Sequence, residues 1–590
     1  MNVLTHNGKP ILVDGKLATV EPRPLTVTEN GKTYESASGF SPVTVDIPAY
    51  PVSDTEHVVN GKWVCPDDWD DVETIPLPED ETDQILYLVY RTDLEVSYIS
   101  WGTISGAYKY TKGHVVGGQF VPTEPTVNKV SGSSIQEFLE SDFETSGKNT
   151  IVFKIEPQTP TTKLTGTKSA SWTVNDATYV GTLQSEVIRY GQLYYATSIV
   201  GNSYLLECDN VRNCKSLTTC NGIYGGSSSS NNLKKHRHTG WDTSNVSSFS
   251  GFLQGCRNLV DCDTDFSGMV TSKCENISNF ISYCTKLSGE INVSNWDTSN
   301  VVSISSFARE SRAITKFIGI EGWNLSNCST SDYVFNYCFS LYQNEDGVLD
   351  LSNWHLSENA TAVTSKQHMF SYMNSIRKII IKNFNFNNAS NISNFFYQNL
   401  GLEEIDMRNI SPVTKVCTSA AAIFQLDTNL KKILYDGDGI FYGSDLSGVT
   451  IINSIINSCL SLEAFNFGTP ANGLAAGAAG NNTCSTLFSQ TEDLKTLDMS
   501  GIDIRNFTYN QLTGWFMQGC QLKEFYPPQG INNNFTYNAS YVISKASLLR
   551  IIEALLPQTS AKTLTLGAVN KARLTDEEIA IATEKGWVVA

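Results

Sequence analysis

The chain has 590 residues and a formal net charge of −18, and so large an excess of carboxylates excludes a nucleic-acid binder, which needs Lys and Arg to neutralise phosphates. Hydrophobic residues make up 41% and charged residues 17% of the chain, enough for several packed domains. No apolar run approaches the ~18 residues that span a bilayer, so membrane insertion is not expected.

Residues 1–50 read as short strands: Pro10 to Lys16, Pro24 to Tyr34 and Gly39 to Pro48. The first residues lack the basic start and apolar block of a secretory signal, and the first cysteine, Cys65, comes too late for a lipid anchor. The phrase from Glu29-Asn-Gly to Val43-Thr-Val resembles a small β module of phage tail and prophage structural proteins. That resemblance implies a segment that anchors the chain to other virion proteins. Residues 51–84 are an acidic linker, with Asp67-Asp-Trp-Asp-Asp71 and Pro76-Leu-Pro-Glu-Asp-Glu81. Their spacing lacks the Gly and Glu of a calcium loop.

Residues 85–200 alternate as strands do, at 85–90, 96–101, 106–110, 150–155, 171–174 and 193–196, with a helix expected near 134–141. Short strands parted by Gly, Ser, Thr and Asn indicate one or two antiparallel β domains. A spacing or oligomerising role is expected there.

From 201 to 540 one phrase recurs, an apolar residue followed at the fourth and seventh positions by a small residue and by Leu or Ile. It reads Phe252, Cys256, Leu259 and then Phe280, Cys284, Leu287, and later Phe307, Ser311, Ile314 and Ile423, Asp427, Leu430. Residues at i, i+4 and i+7 share one face of a helix. Each anchor Leu leads into a short alternating strand, as in Leu402-Glu-Glu-Ile-Asp-Met407 and Leu494-Lys-Thr-Leu-Asp-Met499. Most anchors lie 26 to 32 residues apart, which marks a solenoid whose units bury their apolar edges on one another. The expected fold class is therefore an α/β leucine-rich-repeat solenoid, with a short strand and a short helix per repeat, preceded by β-rich N-terminal domains.

Between strand and helix lies Trp296-Asp-Thr-Ser-Asn-Val301, matched by Trp241-Asp-Thr-Ser-Asn-Val246 and echoed at Trp323 and Trp354. Its side-chain oxygens suit the free N–H groups of a helix start. With these two linked motifs, residues 205–535 resemble the BspA-like leucine-rich repeat family. The resemblance implies surface adhesion, and similar repeats also occur in phage virion proteins. Residues 541–590 form a capping repeat with a helix at 547–556, a strand at 562–566 and a last helix at 574–582, where Thr575 and Glu578 have capping-box spacing.

Catalytic signals are weak: there is no Gly-x-Ser-x-Gly, His-Glu-x-x-His or phosphate-loop motif, and among the many carboxylates nothing singles out a pair for glycoside cleavage. No cofactor or metal is expected. Lys234-Lys-His-Arg-His238 sits near Cys208, Cys214, Cys220, Cys256 and Cys262, but these thiols are not in close Cys-x-x-Cys pairs, and an insertion loop over the first repeats is the plainer reading. The repeat cysteines read as small buried thiols rather than disulfides. Trp241 and Trp296 read as a packing ladder, whereas the non-recurring Tyr224, Tyr283, Tyr337 and Tyr372 are the contact candidates. The expectation is a phage virion fibre or appendage that recognises a host surface glycan or protein. It would assemble as a homo-oligomer, with a trimer favoured, and the alternative is an adhesin on a bacterial cell surface.

Overall fold

The computed structural model describes residues 241–356, 363–474, 490–505, 521–537 and 542–590, residues 96–116, 119–130 and 149–158, and shorter pieces between residues 2 and 238. Within the expected linker at 51–84, Val58–Val59 pairs with Lys62–Trp63, while 66–83 and the strands expected at 39–48 and 193–196 lie outside the described residues.

Two units separate, Met1–Val58 and Val59–Ala590. The first is built of antiparallel hairpins. Thr26–Glu29 pairs antiparallel with Lys32–Glu35, with Val27 opposite Tyr34.

The second unit begins with two antiparallel sheets. Tyr108–Val116, Asn149–Pro157, Leu86–Thr92 and Ser185–Tyr190 lie side by side in one, and Gly132–Glu137, Val96–Ser105, Ser169–Val174 and Ala177–Gly181 in the other. The helix expected near 134–141 is corrected at its start. Gly132–Glu137 is a strand whose Ile135 sits opposite Ser100, because β-pairing to a long neighbour overrides a weak local helical pattern.

A parallel solenoid follows. Val348–Asp350, Lys378–Ile380, Glu404–Asp406 and Lys432–Leu434 form one ladder in strict register, with Leu349, Ile379, Ile405 and Ile433 aligned. A second ladder aligns Phe465, Leu497 and Phe525. The strands are short because each places only its central side chain inward, and Leu349, Ile379, Ile405, Leu497 and Phe525 are fully buried.

The opposite side of each repeat is not a helix. Phe252 N–H donates to Phe249 O and Cys256 N–H to Leu253 O, each at 3.1 Å, so two four-residue turns follow one another. Between them, Phe249, Gly251, Leu253 and Gly255 donate their N–H groups to Asn276, Ser278, Phe280 and Ser282 of the next turn of the solenoid, at 2.7–2.9 Å. Half of the backbone donors thus sew repeats together, whereas a helix would use them internally. Tandem turns repeat every four residues and a helix every 3.6, so a stretch this short reads alike in both.

The third residue of each turn has a left-handed backbone: Gly251 and Gly255, then Asn279 and Tyr283, Tyr333 and Tyr337, His368 and Tyr372. Glycine meets this demand freely, whereas a tyrosine there carries a steric cost. The Trp-Asp-Thr-Ser-Asn motif is likewise corrected from a helix cap to a stitch. Asp297 Oδ1 accepts Ser299 N–H at 3.0 Å in a local turn. Thr298 Oγ1 donates forward to Asn324 O, and Asn300 Nδ2 donates back to Ser272 O.

The array ends in Lys545–Ala554, the strand Lys562–Thr565 and the helix Asp576–Glu584. Ser544 caps the first helix, and Thr575 and Glu578 form a complete capping box on the last. Among the described residues no helix is long and apolar enough to cross a membrane.

Candidate functional site

The solenoid offers two broad sides, and their side chains differ in kind. On the strand side, charges pair from rung to rung. Lys378 meets Glu404 at 2.7 Å, Glu403 joins Arg377 at 3.0 Å and Lys431 at 2.8 Å, and Lys495 meets Glu463 at 2.7 Å. Bonds from Lys431 and Arg377 hold the Glu403 carboxyl below its usual range. Such a ladder neutralises itself, and exposed pairs of this type are worth roughly 0–1 kcal/mol.

On the turn side, left-handed residues project outward and stack along the axis. The Arg309 guanidinium lies over Tyr283 at 5.6 Å and over Tyr333 at 4.5 Å. Tyr333 stacks on His368 at 5.1 Å. Beside this column, Tyr337 stacks on Tyr372 at 4.0 Å, and Phe339 meets both edge-on. Tyr397 closes the cluster against Tyr372 and His368. All of these side chains are half-buried, with an edge left to solvent.

The electrostatics follow from that packing. Burial and hydrogen bonds with Tyr337 and Tyr397 raise the Tyr372 phenol well above its ordinary value. Burial and the nearby Arg309 lower His368 to about 4, so its imidazole is neutral at pH 7. Arg312 is bonded to Glu310 at 2.6 Å. Arg309 has no carboxylate partner among the described residues, and its buried Nε lacks an acceptor. The cluster therefore combines aromatic edges, phenol hydroxyls and an unneutralised guanidinium fixed between two rings. Such a surface suits binding of a partner.

Of the contact residues singled out by sequence, Tyr283, Tyr337 and Tyr372 fall in this cluster, and Tyr224 lies outside the described residues. Sequence reasoning missed Arg309, Tyr333, Phe339, His368 and Tyr397. Their shared register was the available signal, since Tyr333/Tyr337 and His368/Tyr372 occupy the same two positions of successive repeats. Phe252, Cys256, Leu259, Phe280, Cys284 and Leu287 all face the core. So do Trp241 and Trp296, and Trp296, Trp323 and Trp354 stack at 6.0 and 5.7 Å.

Each repeat thiol has a defined partner where the structure describes it. Cys284 Sγ donates to Leu253 O and Cys338 Sγ to Ala308 O, both at 3.1 Å, and burial pushes both thiols up. Ser311 makes the equivalent bond to Ile281 O. The described cysteines are free.

The basic cluster near 236 is a rung rather than an insertion loop. Lys235–His236 pairs in parallel with Glu207–Cys208 and Asp261–Cys262. His236 and His238 stack on each other at 5.4 Å, His238 lies flat on Phe266 at 4.5 Å, and His236 meets Trp241 and Phe252 edge-on. Burial lowers both imidazoles. Among the described residues no group of three His, Cys, Asp or Glu side chains is placed to hold a metal.

Against this geometry, residues 218–348 match a family described as a Mycoplasma protein of unknown function, DUF285. This stretch is similar to that family. It is less than a quarter of the chain and contains the first rungs of the solenoid, with Trp296, Trp323, Tyr283 and Arg309. Among solved structures, an internalin from Listeria monocytogenes aligns at 10% identity over 52% of this chain and 76% of its own, with a TM-score of 0.18. So low a score carries no argument about fold or function. A comparison with curated proteins finds no match.

Proposed function

We propose that this chain is a recognition protein in which a rigid solenoid presents the outer turn-side cluster to a surface glycan or protein. The observation that carries the reading is the stack of Tyr283, Tyr333, His368, Tyr337 and Tyr372 on left-handed backbone, with the Arg309 guanidinium held between Tyr283 and Tyr333. Bulky residues at such positions are uncommon and costly, yet here they recur in register and leave polar edges exposed. Rigid rings lose little entropy on contact, which favours binding by a preformed face.

The setting we propose is a phage virion fibre or appendage, with residues 1–50 docking to other virion proteins and the strand-rich region spacing or trimerising the chain. Sequence resemblance to phage structural proteins supports this reading. Several copies per particle would turn modest single-site affinity into strong attachment. Binding alone fulfils this role, so no bond in the partner is broken.

The test uses the full chain and the host strain from which the protein is obtained. The protein should label intact cells, and it should release no sugar or peptide from them. Tyr337→Ala with Tyr372→Ala, folded by circular dichroism, should lose most of the labelling. Undiminished labelling by that variant, or release of glycan fragments, would overturn the reading. Particle association is tested separately, by finding the chain in purified virions rather than in the host envelope.

A further inference from the structure

The inner column of large aromatic side chains stops partway along the solenoid, and the space it leaves is open. Trp296, Trp323 and Trp354 stack one above another, each at the third position after Val293, Ile320 and Leu351. Phe384 holds the same place after Ile381. The next turn carries Ile410 there. Asn385 pairs in parallel with Ser411, and Ser411 N–H donates to Phe384 O at 2.9 Å, which fixes Phe384 and Ile410 in register.

A cavity of about 240 Å³ lies against Ile410, walled by Phe386, Phe395, Val413 and Phe441. It coincides with a break in the strand side, where Lys432–Leu434 ends one ladder and Ala464–Asn466 begins the next. The segment from Gly439 to Ser444 supplies one wall, and 54%-exposed Tyr442 brings the cavity to the surface. Apolar cavities of ~150 Å³ stay dry and admit benzene, so this one has room for one or two fused rings.

The rim is acidic. Exposed Asp436 lies at the mouth beside Tyr435 and accepts the Asn409 N–H with Oδ2. The nearby cation, Arg408, is bonded directly to both oxygens of Asp406, at 2.9 and 2.6 Å, and meets Asp436 only through a longer-range attraction. Asp438, in the same loop, accepts from Thr469.

We propose that this cavity binds a small planar aromatic cation, with its ring in the place of the missing aromatic side chain and its ammonium group at Asp436. The site stands apart from the outer turn-side cluster, so either reading survives failure of the other. Tryptamine is the probe and indole-3-acetate its anionic counterpart, both titrated into the full chain by calorimetry and ligand-observed NMR.

Tryptamine is expected to bind saturably, and indole-3-acetate at least tenfold more weakly. Ile410→Trp, which restores the side chain of the earlier turns, should abolish binding and raise the thermal midpoint. Ile410→Phe provides the same test with a smaller side chain if the Trp variant does not fold. Asp436→Asn should remove the preference for the cation. Absence of saturable tryptamine binding, or unchanged binding in a folded Ile410 variant, would overturn the proposal. Equal affinity for the two probes would overturn its cationic part.

Discussion

Tyr337 and Tyr372 stack with ring centroids 4.0 Å apart and planes 13° from parallel, and both have positive φ, 63° and 62°. The stack contributes about 0.5–1.5 kcal/mol, while each left-handed tyrosine costs about 1–2 kcal/mol. Folding alone therefore gains little from tyrosine at either site. Tyr372→Gly should change the melting temperature little and should weaken surface binding. A loss of several degrees, checked by calorimetry, would assign the pair to stability instead.

Phe280 is sandwiched between Phe252 at 5.1 Å and Phe307 at 5.6 Å, and Trp296 meets its edge. Phe280→Ala should cost about 3–5 kcal/mol, the usual range for emptying a packed aromatic site. Cys284→Ser should cost far less, because Ser311 already makes the same bond to the preceding rung. Chemical denaturation of the two variants measures both values. Reducing agent should leave the wild-type midpoint unchanged, since the described thiols are free and all but the half-buried Cys262 are buried.

Asp427 occupies the position held elsewhere by Cys284 and Cys459, and it is fully buried with Oδ2 unpartnered. Burial raises its carboxyl well above the ordinary value, although Asn399 N–H donates to Oδ1. The unfolded chain ionises this group near pH ~3.9, so the fold loses stability as pH rises above that point toward the raised folded value. Asp427→Asn removes the effect. The variant's advantage in melting temperature over wild type should therefore grow from pH 4 to pH 8.

His236 behaves in the opposite sense. Burial, His238 and Arg237 lower its imidazole well below the ordinary value, so its contribution is complete above pH ~6.5 and is lost as pH falls toward the folded value. His238 is lowered too, although Asp263 opposes the shift. His236→Phe, placed among Trp241 and Phe252, should reduce the fall in melting temperature between pH 7 and pH 5. An unaltered fall would show that His236 does not govern acid sensitivity.

The repeat register was legible because Leu402, Leu430, Leu462 and Leu494 each precede a strand by two residues. The turn side was not, because Phe252 and Cys256 lie four apart whether the backbone is helical or folded into tandem turns. The decisive feature is the positive φ at positions filled variously by Gly, Asn, Tyr, His and Glu, and only aligned repeats reveal it. Tyr283, Tyr337 and Tyr372 stood out as aromatic residues just before the repeat's Cys or Met, although their shared left-handed position shows only in the aligned turns. Arg309 did not, since its place between two rings depends on stacking across three rungs. The cavity was hidden for a similar reason: Ile410 is an ordinary core residue until set against Trp354 and Phe384.

The central claim is that the outer turn-side cluster, and not the strand side, makes the contact. It is tested most directly by comparing cell binding of the wild-type full chain with two folded variants, Arg309→Ala/Tyr337→Ala/Tyr372→Ala and Lys378→Ala/Glu404→Ala. The first should lose binding by at least tenfold while the second stays near wild type. Loss in the strand-side variant, with binding retained in the turn-side variant, would contradict the account.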